Sequence, residues 1–402
     1  MAGSAGDDAG QGIPPHGGNR IAIARRLGCR PEQLLEASAS LVPFGPPPEL
    51  RRELRRALAA EAAPALRDYP DRSYAALRQA IAAHHDVDPA AVLPGNGAAE
   101  LFTWAARDAA AAGVSLLPSP GFADYRRALA CWGGAWRPLP LPLQWDGAFP
   151  QPFPWPAAAG AAAIAAAGAA VALPSGPAGA LWLTNPHNPT GQLWSRASLE
   201  PLLERFALVV VDEAFLPLVP GGEAESLIPL LAGHPNLLVL RSLTKLFAIA
   251  GLRLGYALAA PPRLARWASW RDPWPVNGLA AAAGSALLGD GAALHRWQRR
   301  VHRWMAEEGA FLAAELAAIE GLQPLPSAAN YRLVRSAGSP AISLEPLRRA
   351  LESRHRILVR DCRSFEGLGE SWLRIALLDR PGHRRLLRAL RREAALLGGP
   401  AR

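Results

Sequence analysis

Between about residues 90 and 260, short apolar runs alternate along the chain with segments of helical pattern. The runs are VSLLP from Val114, ALWLTN from Ala180, FALVVVD from Phe206, NLLVLRS from Asn236 and LRLGYALA from Leu252. Nearly continuous hydrophobicity of this kind is typical of strands that are covered on both faces. The alternation of such strands with helices predicts an α/β domain with a mainly parallel sheet.

The chain after Pro275 follows a different pattern. Its segments are a long helical region, NYRLV, a helix from Ser343, ILVRDC, WLRIAL and a final amphipathic helix, which together indicate a smaller α+β domain. We expect an N-terminal segment over 1–60 that joins the small domain, a large domain over 61–275, and a helical link with the C-terminal small domain over 276–402. Two cores fit a chain of 402 residues, because single cores stop growing at about 250 to 300 residues.

The formal net charge of +9 raises the question of a nucleic-acid partner. The arginines, however, are spread along helical segments such as 49–58 and 384–397, where they are interleaved with glutamates. Because no basic run is interleaved with aromatic residues, we interpret them as solvated helix faces and expect no nucleic-acid partner. The excess of positive charge is compatible with a small anionic substrate.

The sequence also argues against membrane insertion, secretion and a metal site. The longest apolar stretch, at 157–173, is mostly alanine and glycine and is flanked by proline. The N-terminus, MAGSAGDDAGQG, lacks the basic start and apolar core of a secretory signal. Cys29, Cys131 and Cys362 form no CxxC pair. We therefore expect a cytoplasmic protein with no membrane partner and no bound metal.

Residues suited to ligand binding follow four of the predicted strands. Phe122 follows VSLLP, Asn188 follows ALWLT, Asp212 ends LVVVD, and Lys245 follows LLVLRS. In open α/β sheets ligands bind beyond the carboxyl ends of the strands. Four such residues at successive strand ends predict a single site.

Lys245 is the only lysine in a chain that has 42 arginines. Arginine can pair with a carboxylate or a phosphate, but it does not give up its proton to become a nucleophile. A desolvated lysine has a lowered pKa and can attack a carbonyl carbon. Composition alone leaves open an ordinary surface lysine, so the choice depends on the flanking residues.

Five motifs occur in a fixed order along the chain: PGNGAAE, PGFADY, NPHNPTG, VDEAF and SLTKLFAIAGLRLGY. In order and spacing they resemble those of the pyridoxal-phosphate enzymes of the aspartate aminotransferase fold. The resemblance spans nearly the whole chain. It implies an α/β large domain of the pyridoxal-phosphate transferase type, a smaller α+β domain, pyridoxal 5'-phosphate as cofactor, and a homodimer.

The resemblance implies a role for each motif residue. Lys245 would hold the cofactor and act as general base or acid. Asp212 would face the pyridine nitrogen, Asn188 would donate to the phenolic oxygen, and Phe122 would stack on the ring. The residues implied at the cofactor phosphate are Gly97, Ala98 and Ala99 at a helix start, Ser242, Thr244, Arg253, and Tyr69 of a neighbouring subunit.

Within this family, the closest resemblance is to the threonine-phosphate decarboxylases of cobalamin biosynthesis, with the histidinol-phosphate aminotransferases next. The segments that carry it include HGGN at His16, YPDRSYAALRQAIAAHH, PGNGAAELF and PGFADYRRAL. It implies a small phosphorylated amino-acid substrate whose anionic groups lie at Arg360 and Arg374, with His16 as a further phosphate donor. Transamination is one alternative, because sequence does not display which bond of the substrate is broken. A non-catalytic protein that binds the cofactor is the other.

Three positions depart from the family pattern. Many relatives have tyrosine at the position of Phe215, where a hydroxyl would contact the same phenolic oxygen as Asn188. Phenylalanine cannot make this bond, which favours a branch other than the typical aminotransferases. Relatives commonly carry asparagines at the positions of Ser40 and Val42, both of which we expect near the substrate.

Overall fold

The computed structural model describes residues 17–59, 64–155, 179–338, 341–393 and 396. The strands of this part, in chain order, are β1 (Leu35–Ala37), β2 (Val92–Asn96), β3 (Ser115–Ser119), β4 (Trp136–Pro140), β5 (Ala180–Thr184), β6 (Leu208–Asp212), β7 (Leu237–Ser242), β8 (Leu254–Ala259), β9 (Leu322–Pro324), β10 (Tyr331–Ser336), β11 (Ile357–Asp361) and β12 (Trp372–Ala376).

The α-helices of the same ranges are α1 (Arg20–Arg26), α2 (Pro48–Ala59), α3 (Pro64–Arg67), α4 (Ala75–His85), α5 (Gly97–Ala112), α6 (Asp124–Ala130), α7 (Arg196–Leu199), α8 (Leu243–Phe247), α9 (Pro261–Trp270), α10 (Gly278–Gly289), α11 (Gly291–Ala317), α12 (Glu345–His355) and α13 (Arg380–Arg392). Short 3₁₀ turns lie at Pro31–Gln33, Pro89–Ala91, Glu200–Glu204, Leu216–Leu218, Gly222–Glu225, Ile228–Leu230, Ala250–Leu252 and Cys362–Ser364.

The larger sheet has seven strands in the order β2-β8-β7-β6-β5-β3-β4. The pairs from β4 through β7 are parallel, and β8 is antiparallel to both of its neighbours. The predicted α/β fold with a mainly parallel sheet is confirmed, and each of the five predicted runs contains a strand. The sequence interpretation missed β2 and β4, because VLPGN and WRPLP contain proline or glycine, which disfavour strands.

The smaller sheet has five strands in the order β1-β11-β12-β10-β9. Strand β1 comes from the N-terminal part of the chain and pairs in parallel with β11. Strand β12 is antiparallel to both β11 and β10. The predicted segments NYRLV, ILVRDC and WLRIAL contain β10, β11 and β12, so the second half of the chain builds an α+β unit around antiparallel strands.

The central strands of the larger sheet are buried on both faces by helices. In β6, Leu208 and Val210 pack in one apolar cluster with α5, α6 and α9, whereas Val209 and Val211 pack in the other cluster with α4, α10 and α11. Successive side chains of a strand point to opposite faces. Asp212, the last residue of β6, therefore lies on the first face, which packs against α5, α6 and α9. Glu213, which follows β6, lies on the second face, which packs against α4, α10 and α11.

A buried ion pair joins β6 to β7 on the second face. The Glu213 carboxylate lies 2.7 Å from the Arg241 guanidinium, and the two side chains are 0% and 1% exposed. Glu213 also accepts hydrogen bonds from the Ser226 hydroxyl and the Leu227 amide, at 2.8 Å each. Arg241 makes a further pair with Glu223 at 2.8 Å. Burial raises the pKa of Glu213, and the charge of Arg241 opposes that rise.

Two expectations concern what the structure does not contain. Within the described ranges no helix is both long and apolar enough to cross a bilayer, and no group of potential ligands could hold a metal. The alanine- and glycine-rich stretch at 157–173, for which the sequence predicts no membrane span, lies outside the described residues.

The buried pair gives a first prediction. Replacing Arg241 with Gln should destabilise the protein by about 3 to 5 kcal/mol, because Glu213 would be left as an uncompensated buried charge. The midpoint of urea unfolding, followed by circular dichroism, measures the effect. Arg67 is the matched control, since its ion pair with Asp68 is exposed on both sides. Arg67→Gln should leave the urea midpoint close to that of the parent, because solvent screens an exposed pair. Equal midpoints for both variants would contradict the prediction.

Candidate active site

A cavity of about 780 Å³ lies beyond the carboxyl ends of the parallel strands, between the two sheets. Strand ends of the larger sheet contribute Thr184, Asp212 and Ser242 to its lining, and the smaller sheet contributes Arg360 and Arg374. The predicted site residues among those that line it are Ala98, Ala99, Phe122, Asn188, Asp212, Ser242, Thr244, Lys245, Arg253, Arg360 and Arg374. The structure thus brings together residues that are as much as 276 positions apart in sequence.

Lys245 lies on the short helix α8, directly after β7. Its Nζ is 5.4 Å from the centroid of the Phe215 ring. Burial lowers the pKa of the Lys245 amine to about 8, assisted by the charges of Arg374 and Arg253 and opposed by Asp212. A neutral amine is therefore accessible near physiological pH, as a nucleophile requires.

Asp212 is held by two protein donors. The Tyr125 hydroxyl donates to its Oδ2 at 2.8 Å, and the Ala214 amide donates to its Oδ1 at 3.0 Å. The Thr184 hydroxyl lies 2.7 Å from the Tyr125 oxygen, and it donates to that oxygen because the Tyr125 proton is already given to Asp212. Burial raises the pKa of Asp212 to about 6, and the bond from Tyr125 opposes the rise.

Asn188 is oriented by an arginine of the smaller sheet. Arg374 donates from Nη1 to the Asn188 Oδ1, and from Nη2 to the backbone carbonyl of Ser38 at 3.2 Å. Since the amide oxygen of Asn188 faces Arg374, its NH₂ group remains as a donor toward other partners. Asn188 is 5% exposed and lines the cavity, so its NH₂ group can donate to an oxygen of a ligand bound there.

An anion-binding end of the cavity is formed where α5 begins. Gly97 opens the helix with φ of 72°, and a Cβ there would lie 2.6 Å from the Arg253 Nη2. Only glycine allows this close approach of the guanidinium to the helix start. Ala98 and Ala99 follow in the first turn, so their amides belong to the positive end of the helix dipole. Ser242 and Thr244 line the cavity with Arg253, and Ser242 caps α8.

A second cationic part of the cavity is formed by Arg360 and Arg374. They lie opposite each other in the antiparallel pair β11 and β12. Burial, followed by the charge of Arg374, lowers the pKa of Arg360 to about 10. Burial also lowers the pKa of Arg374. Like charges that face each other across strands are unfavourable, so this arrangement is suited to an anionic ligand.

Within the described ranges two predicted site residues, Tyr69 and Gly97, are not among those that line the cavity. Tyr69 is 79% exposed, and its ring stacks on Trp274 with centroids 4.4 Å apart. Its predicted role in a neighbouring subunit stays a prediction. His16 lies outside the described residues. A Cβ on Gly97 would lie 2.6 Å from the Nη2 of Arg253, which does line the cavity.

Comparison with known proteins agrees with this arrangement. The family model for aminotransferase class I and II matches residues 34–390. The chain belongs to the class I and II aminotransferase family. The threonine-phosphate decarboxylase of Salmonella typhimurium is 35% identical over 387 residues, which cover 94% of this chain and 95% of that protein.

Two histidinol-phosphate aminotransferases are also similar. That of Symbiobacterium thermophilum is 33% identical over 378 residues, covering 92% of each chain. The solved structure from Sinorhizobium meliloti, in complex with pyridoxal-5'-phosphate, has a TM-score of 0.76 at 24% identity and covers 99% of both chains. The family and fold predicted from the sequence are confirmed, the predicted enzyme class agrees with the relatives, and the predicted cofactor agrees with the one in that structure.

Sequence reasoning missed Tyr125 and Thr184, the pair that supports Asp212. The motif PGFADY was recognised for Phe122, and Tyr125 stands three residues later in the same motif. Thr184 was available as the last residue of the run ALWLT, and it is the register partner of Asp212. The sequence signal for Thr184 was a hydroxyl-bearing residue at the end of β5, the strand next to the one that carries Asp212.

The three departures from the family pattern have different outcomes. Phe215 is buried, with its ring edge-to-face on Tyr331 at 5.1 Å. Ser40 lines the cavity as expected, and within the described ranges its buried hydroxyl has no hydrogen-bond partner. The expectation for Val42 was wrong: its side chain is 3% exposed and packs in the apolar core, and it is not among the residues that line the cavity.

The lowered pKa of Lys245 gives a second prediction. Only the neutral amine captures a carbonyl, so capture of pyridoxal 5'-phosphate by the apoprotein should speed up with rising pH, with a midpoint at about 8. Stopped-flow absorbance at a series of pH values measures this rate. Lys245→Arg should capture nothing at any pH. A midpoint near the ordinary lysine value of 10.5 would show that the cavity does not tune this amine.

The contact between Tyr125 and Asp212 gives a third prediction. Tyr125→Phe removes a hydrogen bond that lowers the pKa of Asp212, so that pKa should rise above about 6. As the pH falls, the Asp212 carboxylate of the variant should become protonated at a higher pH than that of the parent. Losing a bond to a charged group corresponds to about tenfold to a hundredfold in cofactor affinity. Titration of the apoprotein with pyridoxal 5'-phosphate from pH 5 to 8 measures both effects.

The control for this prediction is Tyr331→Phe. The Tyr331 hydroxyl donates to the His187 carbonyl and not to Asp212. We expect its cofactor affinity to follow the pH profile of the parent. If the two variants behave alike, the effect comes from a lost buried hydroxyl in general and not from the support of Asp212.

Proposed function

We propose that this chain is a pyridoxal-phosphate-dependent lyase that decarboxylates O-phospho-L-threonine to (R)-1-aminopropan-2-ol phosphate in cobalamin biosynthesis. The observation that carries the proposal is the placement of one low-pKa amine, Lys245, in the same cavity as two opposed guanidinium groups. A phosphorylated amino acid has two anionic groups for Arg360 and Arg374. The relative from Salmonella typhimurium supports this branch of the family.

The donor set of the cavity fits pyridoxal 5'-phosphate. An aldehyde requires a neutral amine, which Lys245 provides, and a protonated pyridine nitrogen requires a buried carboxylate, which Asp212 provides. The phosphate requires converging donors. The residues proposed for it are the amides of Gly97, Ala98 and Ala99, the hydroxyls of Ser242 and Thr244, and the guanidinium of Arg253.

Bound in this way, the cofactor would supply an electron sink for the substrate bond that breaks. Asp212 would keep the ring nitrogen protonated, and Tyr125 would keep Asp212 charged and oriented. The Asn188 NH₂ would donate to the phenolic oxygen, and Phe122 would cover one face of the ring.

The proposed reaction breaks the bond between the α-carbon and the carboxylate. Carbon dioxide leaves, and Lys245 returns one proton to the α-carbon, so the reaction needs neither an oxidant nor a second substrate. Arg374 would orient the carboxylate and Arg360 would hold the phosphate, each through planar guanidinium donors.

The second candidate is amino transfer to a phosphorylated ketone, as in the histidinol-phosphate aminotransferases. The similarity to the Symbiobacterium thermophilum protein supports it. The same cofactor residues would serve both reactions. The two differ in the bond that is broken at the α-carbon, and therefore in stoichiometry.

The assembly and location are proposals of the same kind. We propose a homodimer in which Tyr69 reaches the cofactor phosphate of the neighbouring subunit. Its exposed ring is held on Trp274, which also contacts the Arg72 guanidinium at 4.6 Å.

We also propose a cytoplasmic location, supported by three free cysteines. The boundaries proposed for the domains remain 1–60, 61–275 and 276–402, with β1 of the first segment paired to β11.

The fourth prediction tests the reaction. The holoenzyme, given O-phospho-L-threonine and no keto acid, should release carbon dioxide over many turnovers, and Lys245→Arg should release none. Trapped carbon dioxide and the absorbance of the cofactor are measured together. Absence of gas, together with conversion of the cofactor to its amine form by glutamate or histidinol phosphate, would replace the decarboxylase by the aminotransferase.

A further inference from the structure

Phe365 contacts two arginines of the smaller sheet, Arg360 and Arg374. It follows the 3₁₀ turn after β11, is 3% exposed and lines the cavity. Its ring centroid lies 5.1 Å from the Arg360 guanidinium carbon and 5.7 Å from that of Arg374. No role in binding was predicted for it, since a phenylalanine in a loop carries no catalytic signal.

The like charges of Arg360 and Arg374 lie next to each other, so the contacts around them determine where each guanidinium is held. The two residues are register partners across β11 and β12. Arg360 donates to the Ser364 hydroxyl, and Arg374 donates to the Asn188 amide oxygen and the Ser38 carbonyl. The Tyr331 ring lies 4.7 Å from the Arg374 guanidinium, whose Nε has no hydrogen-bond partner within the described ranges. An aromatic ring attracts a guanidinium through its face, so it adds to these contacts without taking up in-plane N–H donors. A carboxylate in the same place would occupy those donors and compete with an anionic ligand.

The loop that carries Phe365 is also tied to the larger sheet. The next residue, Glu366, pairs with Arg126 at 3.2 Å, and its carbonyl accepts a hydrogen bond from the Ser119 hydroxyl at 3.3 Å. Ser119 ends β3, and Arg126 lies on α6. The position of Phe365 relative to the strand ends that carry Asp212 and Lys245 is therefore fixed by contacts from both sheets.

We propose that Phe365 is a positioning residue that sets the spacing of Arg360 and Arg374 for a substrate with two anionic groups. It acts through the guanidinium groups and does not take part in the chemical step. The inference rests on the proposed function in that it takes a phosphorylated amino acid as the ligand.

The test compares Phe365→Leu with Phe365→Tyr in the holoenzyme. Leucine removes the aromatic face at similar volume, whereas tyrosine keeps it. Phe365→Leu should raise the KM for O-phospho-L-threonine by about threefold to thirtyfold, the range that corresponds to one or two contacts between a cation and an aromatic ring. Its kcat should fall by much less, because Lys245 and Asp212 are untouched. Phe365→Tyr should keep KM within about twofold of the parent.

Phe311 provides a matched control. Its ring contacts the Arg380 guanidinium at 3.9 Å, and neither residue lines the cavity. Phe311→Leu should leave KM unchanged. The proposal is overturned if Phe365→Leu keeps the parent KM, if leucine and tyrosine raise KM equally, or if Phe311→Leu raises it as much.

A binding measurement separates this inference from the proposed function. Inorganic phosphate should raise the thermal unfolding midpoint of the parent holoenzyme, in which the cofactor occupies the other anion site. The shift should be smaller in Phe365→Leu and retained in Phe365→Tyr. If the parent releases no carbon dioxide but the variants differ in this way, the decarboxylase proposal fails and the role of Phe365 stands. Equal shifts in all three proteins, or no shift in the parent, overturn the role of Phe365.

Discussion

The ion pair between Glu213 and Arg241 is the constraint on which the geometry of the cavity depends. Both side chains are buried, and each lies one residue from a cavity residue: Glu213 follows Asp212, and Arg241 precedes Ser242. The Ser226 hydroxyl and the Leu227 amide donate to Glu213, and Arg241 donates to Glu223, although its buried Nε has no hydrogen-bond partner within the described ranges. Any shift of β6 against β7 would break these contacts, so the two strand ends are locked in register.

That lock works because a strand presents alternate residues to opposite faces. Glu213 and Arg241 face the helices on one side, while Asp212 and Ser242 are left for the cavity on the other. The face that carries Asp212 adds its own support, since Tyr125 and Thr184 fix the Asp212 carboxylate from α6 and β5. The carboxylate is thus placed by contacts on both sides of the sheet.

The sequence predicts the parts of this structure that are encoded locally. Continuous apolar runs identify the central strands, and Asn188, Asp212 and Lys245 are recognisable because each follows one of them. Strand β2 could not be recognised in this way, since Pro94 and Gly95 are paired there by the neighbouring β8 and not by their own propensity. Contacts between distant segments are also hidden: the bond from Tyr125 to Asp212 spans 87 residues, and the opposition of Arg360 and Arg374 depends on the register of β11 and β12.

The arginine-rich composition and the single lysine have one explanation: the cavity needs several cations but one nucleophilic amine. The cavity needs several permanent cations, which Arg253, Arg360 and Arg374 supply, because guanidinium groups keep their proton even when buried. Their charges also disfavour a proton on the nearby amine, and Arg374 and Arg253 both lower the pKa of Lys245. At the buried positions 360 and 374, burial would lower the pKa of a lysine, which would become a second amine able to attack a carbonyl. Using arginine for every binding role therefore keeps nucleophilic attack confined to position 245.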